Sequence, residues 1–293
     1  MTSTPADSNR RDRRTLAAAR LGLFVLAIAL AAATSLGRAS AADSDDDSWL
    51  RGSFSDEHRG PIRWDGVVLG GTFGFSNMST DFGDAAGPEV AYILRNSTLE
   101  TEDSPSSWTT LPRDITNSQQ YGAFIGYNYQ LDQIVLGADI AYNHPNSLVG
   151  SASDSIDRIV TTSDGVTHNV LLQAQSSLRL VDYGTVRARA GYGYGQFLPY
   201  GMLGVAVGRF NYSTSATVTD VQSGAITGTF GPITQTQGQD NFYATGFVAG
   251  LGLDVSLLPN VFVRGEWETI VWGPVNGIKP SMNTARVGLG VRF

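Results

Sequence analysis

The 293-residue chain has no cysteine, a single lysine and three histidines, and beyond its first forty residues it has no long apolar run. Each shortage closes off a class of protein. Without cysteine no disulfide can staple the fold, so stability must come from a packed interior, a membrane or both. Lys279 is the only lysine; the clustered cations that release counterions from a phosphate backbone are missing, and no nucleic acid partner is expected. Three histidines give no basis for a dedicated metal or haem site, and no cofactor is expected. A spanning helix needs about 18 to 20 apolar residues. None follows the N-terminal segment, so helical spans are excluded.

What is present begins with an export signal. Arg10, Arg11, Arg13, Arg14 and Arg20 form a basic region, Leu21 to Leu36 an apolar stretch, and Ala39-Ser40-Ala41 small residues at a cleavage position, which places the cut between Ala41 and Ala42. Removing residues 1–41 takes six Arg and two Asp with it, leaving 14 basic and 25 acidic residues, a net charge of −11. The exported chain is acidic, with an acidic N-terminal segment over residues 42–63 expected in the periplasm.

From Trp64 to Phe293 the dominant pattern has period two. In the segment from Trp64, Val67, Leu69, Phe73 and Phe75 oppose Gly66, Gly70, Thr72 and Gly74. Further alternating segments run over 121–130, 134–143, 183–192, 199–208, 241–255, 261–269 and 285–293, which makes eight strands. The links between them are long and short in turn, with segments 78–117, 144–172 and 211–240 expected as loops. Outer-membrane barrels have this rhythm, with an even strand number, short periplasmic turns and long extracellular loops. The expectation is an all-β, eight-stranded, antiparallel, up-and-down transmembrane barrel over residues 64–293.

Aromatic spacing supports the same reading. Phe75, Tyr121, Tyr142 and Tyr243 lie at strand ends beside the long links, and Tyr129, Tyr192 and Phe293 at the opposite ends. Tyr121 to Tyr129 is eight steps, which at about 3.3 Å per residue and a tilt near 40° rises roughly 20 Å, close to an apolar band. Charge sets which face looks inward. Asp139, Arg187, Arg189, Arg264, Glu266, Glu268 and Arg286 all fall on the face opposite the apolar residues, as does Arg292. An arginine turned to lipid at mid-bilayer costs roughly 2–4 kcal/mol, so these side chains are expected to fill the lumen as a salt-bridged plug.

The segments RWDGVVLGGTFGF (63–75), GYNYQLDQIVLGADIAY (126–142), YGTVRARAGYGYGQFLPYGMLGVAVG (183–208) and the closing VGLGVRF resemble the small porin-like outer-membrane β-barrel proteins of alphaproteobacteria, which are similar in architecture to the membrane domain of outer membrane protein A. The resemblance implies a surface-exposed envelope protein without a defined reaction, and it makes Phe293 the signal read by the barrel-assembly machinery. Implied partners are outer membrane lipids, lipopolysaccharide, the assembly machinery, and phage or host surface molecules met by the outer segments. The first and third long links exceed those of compact members of the group.

Other motifs yield to plainer explanations. Asp43, Asp45 and Asp47 imitate the start of a calcium loop, but Ser48 stands where the turning glycine belongs and Phe54 where the bidentate glutamate belongs. The Gly-x-Gly repeats in GYGYG and GLGLD lack the following helix of a nucleotide fingerprint; inward glycines instead make room for large neighbours. Glu266, Glu268 and Asp139 share a face like hydrolytic carboxylates, but the arginines on that face neutralise them. His144 and His168 are the candidates for acyl chemistry at the outer rim and are expected as ordinary loop histidines. The expected function is that of a non-enzymatic outer-membrane barrel that supports envelope integrity and presents its surface loops, with a small porin for polar solutes or a lipid-modifying barrel enzyme as alternatives.

Overall fold

The computed structural model describes residues 62–109 and 111–293. The cleavage position at Ala41 and Ala42, the acidic triplet and most of the segment 42–63 lie outside the described residues. Strands are β1 (Gly66–Asp81), β2 (Asp114–Leu131), β3 (Ile134–Pro145), β4 (Leu148–Thr161), β5 (Val166–Tyr192), β6 (Phe197–Gly224), β7 (Gly228–Leu258), β8 (Val261–Trp272) and β9 (Lys279–Arg292). Two short helices, α1 (Gly87–Ile93) and α2 (Thr98–Asp103), lie between β1 and β2.

Nine strands occupy eight staves. Antiparallel ladders run β1–β2, β2–β3, β3–β5, β5–β6, β6–β7, β7–β8, β8–β9 and β9–β1, so the ring closes on itself. The ninth strand, β4, pairs with Thr167–Leu180 of β5, while β3 pairs with Tyr183–Tyr192 of the same strand. Together β3 and β4 make one broken stave. The break falls after Pro145, which has no N–H to give a ladder; Asn146 N then donates to Gln119 O at 2.9 Å.

The three expected loops are corrected by this arrangement. Segment 78–117 contains strand at both ends with two helices between, segment 144–172 is mostly β4 and the start of β5, and segment 211–240 is mostly a β6–β7 hairpin. Their Ser and Thr residues read as loop because the alternation in them is inverted. In β6, Leu203, Val205 and Val207 point outward; further along the same strand, Phe210, Ala216 and Val218 point inward while Ser213, Ser215 and Thr217 point out. β5 behaves the same way, with Val186 outward and Arg187 inward in one half, and Leu172 and Leu178 inward against Gln173 and Gln175 in the other. Threonine and valine are β-branched and suit a strand whether the solvent face is polar or not.

The interior is correspondingly two-layered. In the outer half, Phe82, Val90, Ile93, Leu94, Leu99 and Leu111 from the β1–β2 connection join Leu148, Val170, Leu172, Phe210, Val218 and Ile278 in one buried apolar cluster. Ser97 caps α2 by accepting from Glu100 N at 3.1 Å, and Glu102 of α2 holds the β4–β5 tip by accepting from Ser163 N at 2.8 Å. Trp108 receives Arg158 of β4 at 4.9 Å over its ring. In the inner half a second, smaller cluster gathers Trp64, Val68, Phe124, Leu198, Tyr200, Met202 and Phe262. No described helix is long and apolar enough to cross a membrane.

Candidate functional site

Between the two apolar clusters the lumen is filled by charge. Asp139 of β3, Arg187 and Arg189 of β5, Arg264, Glu266 and Glu268 of β8, and Arg286 of β9 are all buried and touch one another. Arg187 donates through Nε to Asp139 Oδ1 at 2.7 Å and through Nη1 to Glu266 at 3.2 Å and Glu268 at 3.0 Å. Arg286 donates to Glu266 at 2.6 Å and to Glu268 at 2.8 and 2.9 Å. Since β5 and β8 are three staves apart in the ring, the Arg187 contacts cross the lumen rather than run along its wall.

Period two explains why these residues meet. Asp139 stands opposite Arg187 in the β3–β5 register, and Glu266 opposite Arg286 in the β8–β9 register, so each cross-strand pair joins opposite charges on the inner face. Arg264 stands opposite Asp254 of β7 and makes a two-point contact with it at 2.8 Å on both oxygens, the fork geometry that suits guanidinium to carboxylate. Asp254, buried on the inner face of β7 and absent from the expected set, completes the network. Four guanidinium groups, Arg187, Arg189, Arg264 and Arg286, thus face four carboxylates, Asp139, Asp254, Glu266 and Glu268.

Aromatic groups close the network on both sides. Toward the short turns, Arg264 lies 4.1 Å over Phe124 and Arg189 lies 4.5 Å over Tyr200, whose hydroxyl donates to Glu266 at 2.7 Å. Glycine makes space for these rings. A Cβ on Gly252 would sit 2.3 Å from Tyr200 Cζ, and one on Gly290 2.3 Å from Phe262 Cζ. Toward the hairpins, Tyr183 donates to Gln120 at 3.0 Å, and Ser76 bonds Gln120 and Thr284 at 2.9 Å each. Arg292, at the turn end, donates to Pro259 O at 2.6 Å and lies 5.0 Å over Trp64. Sequence reasoning gave Tyr200, Tyr183 and Gln120 no part in the lumen network; polar tips on buried side chains carry no signal until the facing stave is known. Phe293 is exposed at the turn end, and its backbone pairs with Val67 at 2.9 and 3.2 Å.

The outer surface of the inner half is a continuous apolar belt: Leu69, Phe73, Ile125, Leu136, Ile140, Val186, Leu203, Val205, Phe247, Leu251, Val287 and Leu289 are all exposed. The two histidines expected in loops lie instead in strands. His144 packs at 5.3 Å from the Tyr121 ring. His168 is buried in β5, with Nδ1 at 2.7 Å from Asp220 Oδ2 and Nε2 at 3.2 Å from Thr162 Oγ1. That row has the sequence of a nucleophile, a base and an acid. However, Thr162 is itself buried and its hydroxyl lies 2.5 Å from Asp164 Oδ1 within the hairpin turn, so the row fastens the β4–β5 tip. Among the described residues no group of three His, Cys, Asp or Glu side chains is placed to hold a metal ion.

Comparison with known proteins adds one decisive match. The family described as outer membrane protein beta-barrel domain matches residues 26–293. No curated protein matches the chain. Solved structures with a similar course include the attachment invasion locus protein Ail of Yersinia pestis (14% identity, 78% of this chain and 99% of that chain, TM-score 0.32) and OprG from Pseudomonas aeruginosa (13%, 78% and 96%, TM-score 0.34). The outer membrane protease OmpT from Escherichia coli is similar over 78% of this chain and 97% of that one, at 10% identity and TM-score 0.35. At such identities and scores these neighbours decide nothing about activity.

Proposed function

The chain belongs to the outer membrane protein beta-barrel domain family and has its place in the outer membrane, and from that premise we propose that it is a closed, non-enzymatic barrel that supports the envelope and carries a folded β-structure outward. One observation carries this reading: the Arg187 contacts with Glu266 and Glu268 bridge the lumen, Arg286 on the neighbouring stave holds the same two carboxylates, and these side chains are at most 1% exposed. An ion or solute crossing there would have to break several charge-assisted bonds at once. Short turns face the periplasm in such barrels and the long hairpins face out, so the Ser- and Thr-rich outer faces of β4 to β7 are the surface offered to the surroundings.

Single-channel recording in planar bilayers tests the proposal. The expected record is flat, without a steady conducting level. A stable open level in the unmodified protein would overturn the closed-lumen reading in favour of a small porin. Turnover of lipid A or phospholipid that disappears in a folded His168→Ala variant would overturn the non-enzymatic one.

A further inference from the structure

Most of the cations on the outside of this acidic barrel are engaged by carboxylates or ring faces: Arg63 by Asp65, Arg113 by Asp81, Lys279 by Asp84, Arg95 by Tyr92 and Arg158 by Trp108. The exception is Arg179 of β5, which stands in a cluster with Arg209 of β6, itself paired with Asp182, and Asn241 of β7. Arg179 is exposed and has no carboxylate partner among the described residues. Its cross-strand neighbour on β6 is Asn211, which puts Arg209, two residues back on the same outward face, at the diagonal distance of about 7–8 Å between Cα atoms.

Arg209 is held in a fixed pose. It bonds both oxygens of Asp182, through Nε at 3.1 Å and through Nη2, and its Nη1 donates to Asn241 at 3.3 Å. Tyr142 donates its hydroxyl to the same Asp182 at 3.1 Å, and Asn241 N donates to Asn211 at 2.9 Å. Both carboxylate oxygens of Asp182 are therefore turned to protein donors. A guanidinium has five N–H groups; three are engaged here, leaving one on each terminal nitrogen of a side chain that is 33% exposed. Two register shifts, at Leu180/Asp182 between β5 and β6 and at Phe210/Tyr212 between β6 and β7, fall at this level. The first lets Arg179 and Asp182 both face outward, and bulges of this kind re-aim side chains at barrel rims.

The height of the cluster is set by the apolar belt. On β6, Pro199, Leu203, Val205 and Val207 precede Arg209 on the exposed face. The ten steps from Pro199 to Arg209, at about 3.3 Å each and a tilt near 40°, rise roughly 25 Å, the full thickness of the apolar band. Tyr243 stands directly opposite Arg209 and Tyr142 is one of the aromatics at the same border. On the other side of the barrel the corresponding level carries neutral amides, with Asn77 bonded to Asn117 at 2.8 Å and registered with Asn283. At this level, among the described residues, the outward arginines stand on one side only.

We propose that Arg179 and Arg209, with Asn211 and Asn241 beside them, form a binding site for the phosphorylated sugar headgroup of an outer-leaflet glycolipid of the lipid A type. Arg209 presents its two remaining N–H groups as a fork to phosphate oxygens, Arg179 supplies the uncompensated charge, and the amides meet sugar hydroxyls. Asp182 and Tyr142 are positioning residues that fix the fork. The site is independent of whether the lumen conducts.

The test is native mass spectrometry of the full-length detergent-extracted barrel, offered diphosphorylated lipid A, the same lipid A without phosphates, and phosphatidylglycerol. Diphosphorylated lipid A is expected to be retained best, with at least a tenfold loss when its phosphates are removed. Arg179→Gln, a surface change that keeps the heat-dependent gel migration of a folded barrel, is expected to weaken retention about fivefold. Equal retention with and without phosphates, or no change in the folded Arg179→Gln variant, would overturn the proposal. Phosphatidylglycerol held as tightly as lipid A would overturn it as well, since any anionic headgroup would then suffice.

Discussion

The same eight-stave tube is filled in two opposite ways. Its inner half carries charge inside and apolar side chains outside, whereas its outer half carries apolar side chains inside and Ser, Thr and Gln outside. The reversal happens within single strands, in β5 between Arg187 and Leu178 and in β6 between Val207 and Phe210. The difference teaches that the strands answer to what surrounds them. Where lipid covers the outside, the alternating pattern leaves the inner face to polar groups, which must then satisfy one another. Where water covers the outside, the hydrophobic effect drives the apolar set inward, and the β1–β2 connection with α1 and α2 fills the space.

Two halves built on opposite rules should break differently. The largest effect belongs to the charged half. Glu266→Leu removes the partner of Arg187, Arg286 and Tyr200 together, leaving buried charge uncompensated at a cost of about 3–5 kcal/mol. Urea midpoints followed by heat-dependent gel migration in lipid vesicles should fall accordingly. In the outer half, Leu172→Ala opens a cavity in the apolar cluster and costs about 3 kcal/mol. It should show as faster proteolysis of the β4–β5 hairpin, with the migration of the folded barrel unchanged. A shift in gel migration equal to that of Glu266→Leu would mean the halves unfold as one.

A smaller effect separates inside from outside at one level. Gly252→Ala places a methyl against the Tyr200 ring and should cost about 1–3 kcal/mol, while Gly265→Ala, which meets nothing within 4 Å, should be close to neutral in the same urea titration. The smallest concerns the outer cap and pH. Glu89 in α1 is buried, with neither oxygen in a well-formed hydrogen bond; burial holds its carboxyl above the usual value, opposed in part by its own backbone N–H and the Asn276 amide. A raised carboxyl means that the folded cap binds the proton more tightly than the unfolded one. The stabilisation is full below the ordinary glutamate range near pH 4.3 and is lost as pH rises through the raised value. Hydrogen exchange of residues 87–94, corrected for intrinsic rates, should show greater protection in acid for the wild type and a flatter profile for Glu89→Gln.

Much of the inner half was legible because lipid imposes a strict rule on it. Val186 out and Arg187 in can be read from spacing alone, and with it the strand order, the closure into eight staves and the charged character of the lumen. The outer half escaped the same reading. Val170, Leu172, Phe210, Ala216 and Val218 alternate just as regularly, but with Ser, Thr and Gln as the partners they resemble a hydrated loop. His168 and Asp220 could not be paired in advance, because the pairing depends on β5 and β6 staying in register well beyond the membrane. The link between Glu102 and the β4–β5 tip is likewise invisible to local pattern, being 61 residues apart in sequence.

By itself, then, the order of residues determined the alternation, the strand count of the barrel and which side chains turn away from lipid, since these follow from a two-residue repeat and the cost of exposing charge to hydrocarbon. Only the tertiary structure decided which carboxylate meets which arginine, that Asp254 and Tyr200 complete the network, that the outer segments are strands around an apolar core, and that Arg179 and Arg209 come together at one rim. Those outcomes depend on register and on contacts across the tube, where residues far apart in the chain become neighbours and local propensity has nothing to say.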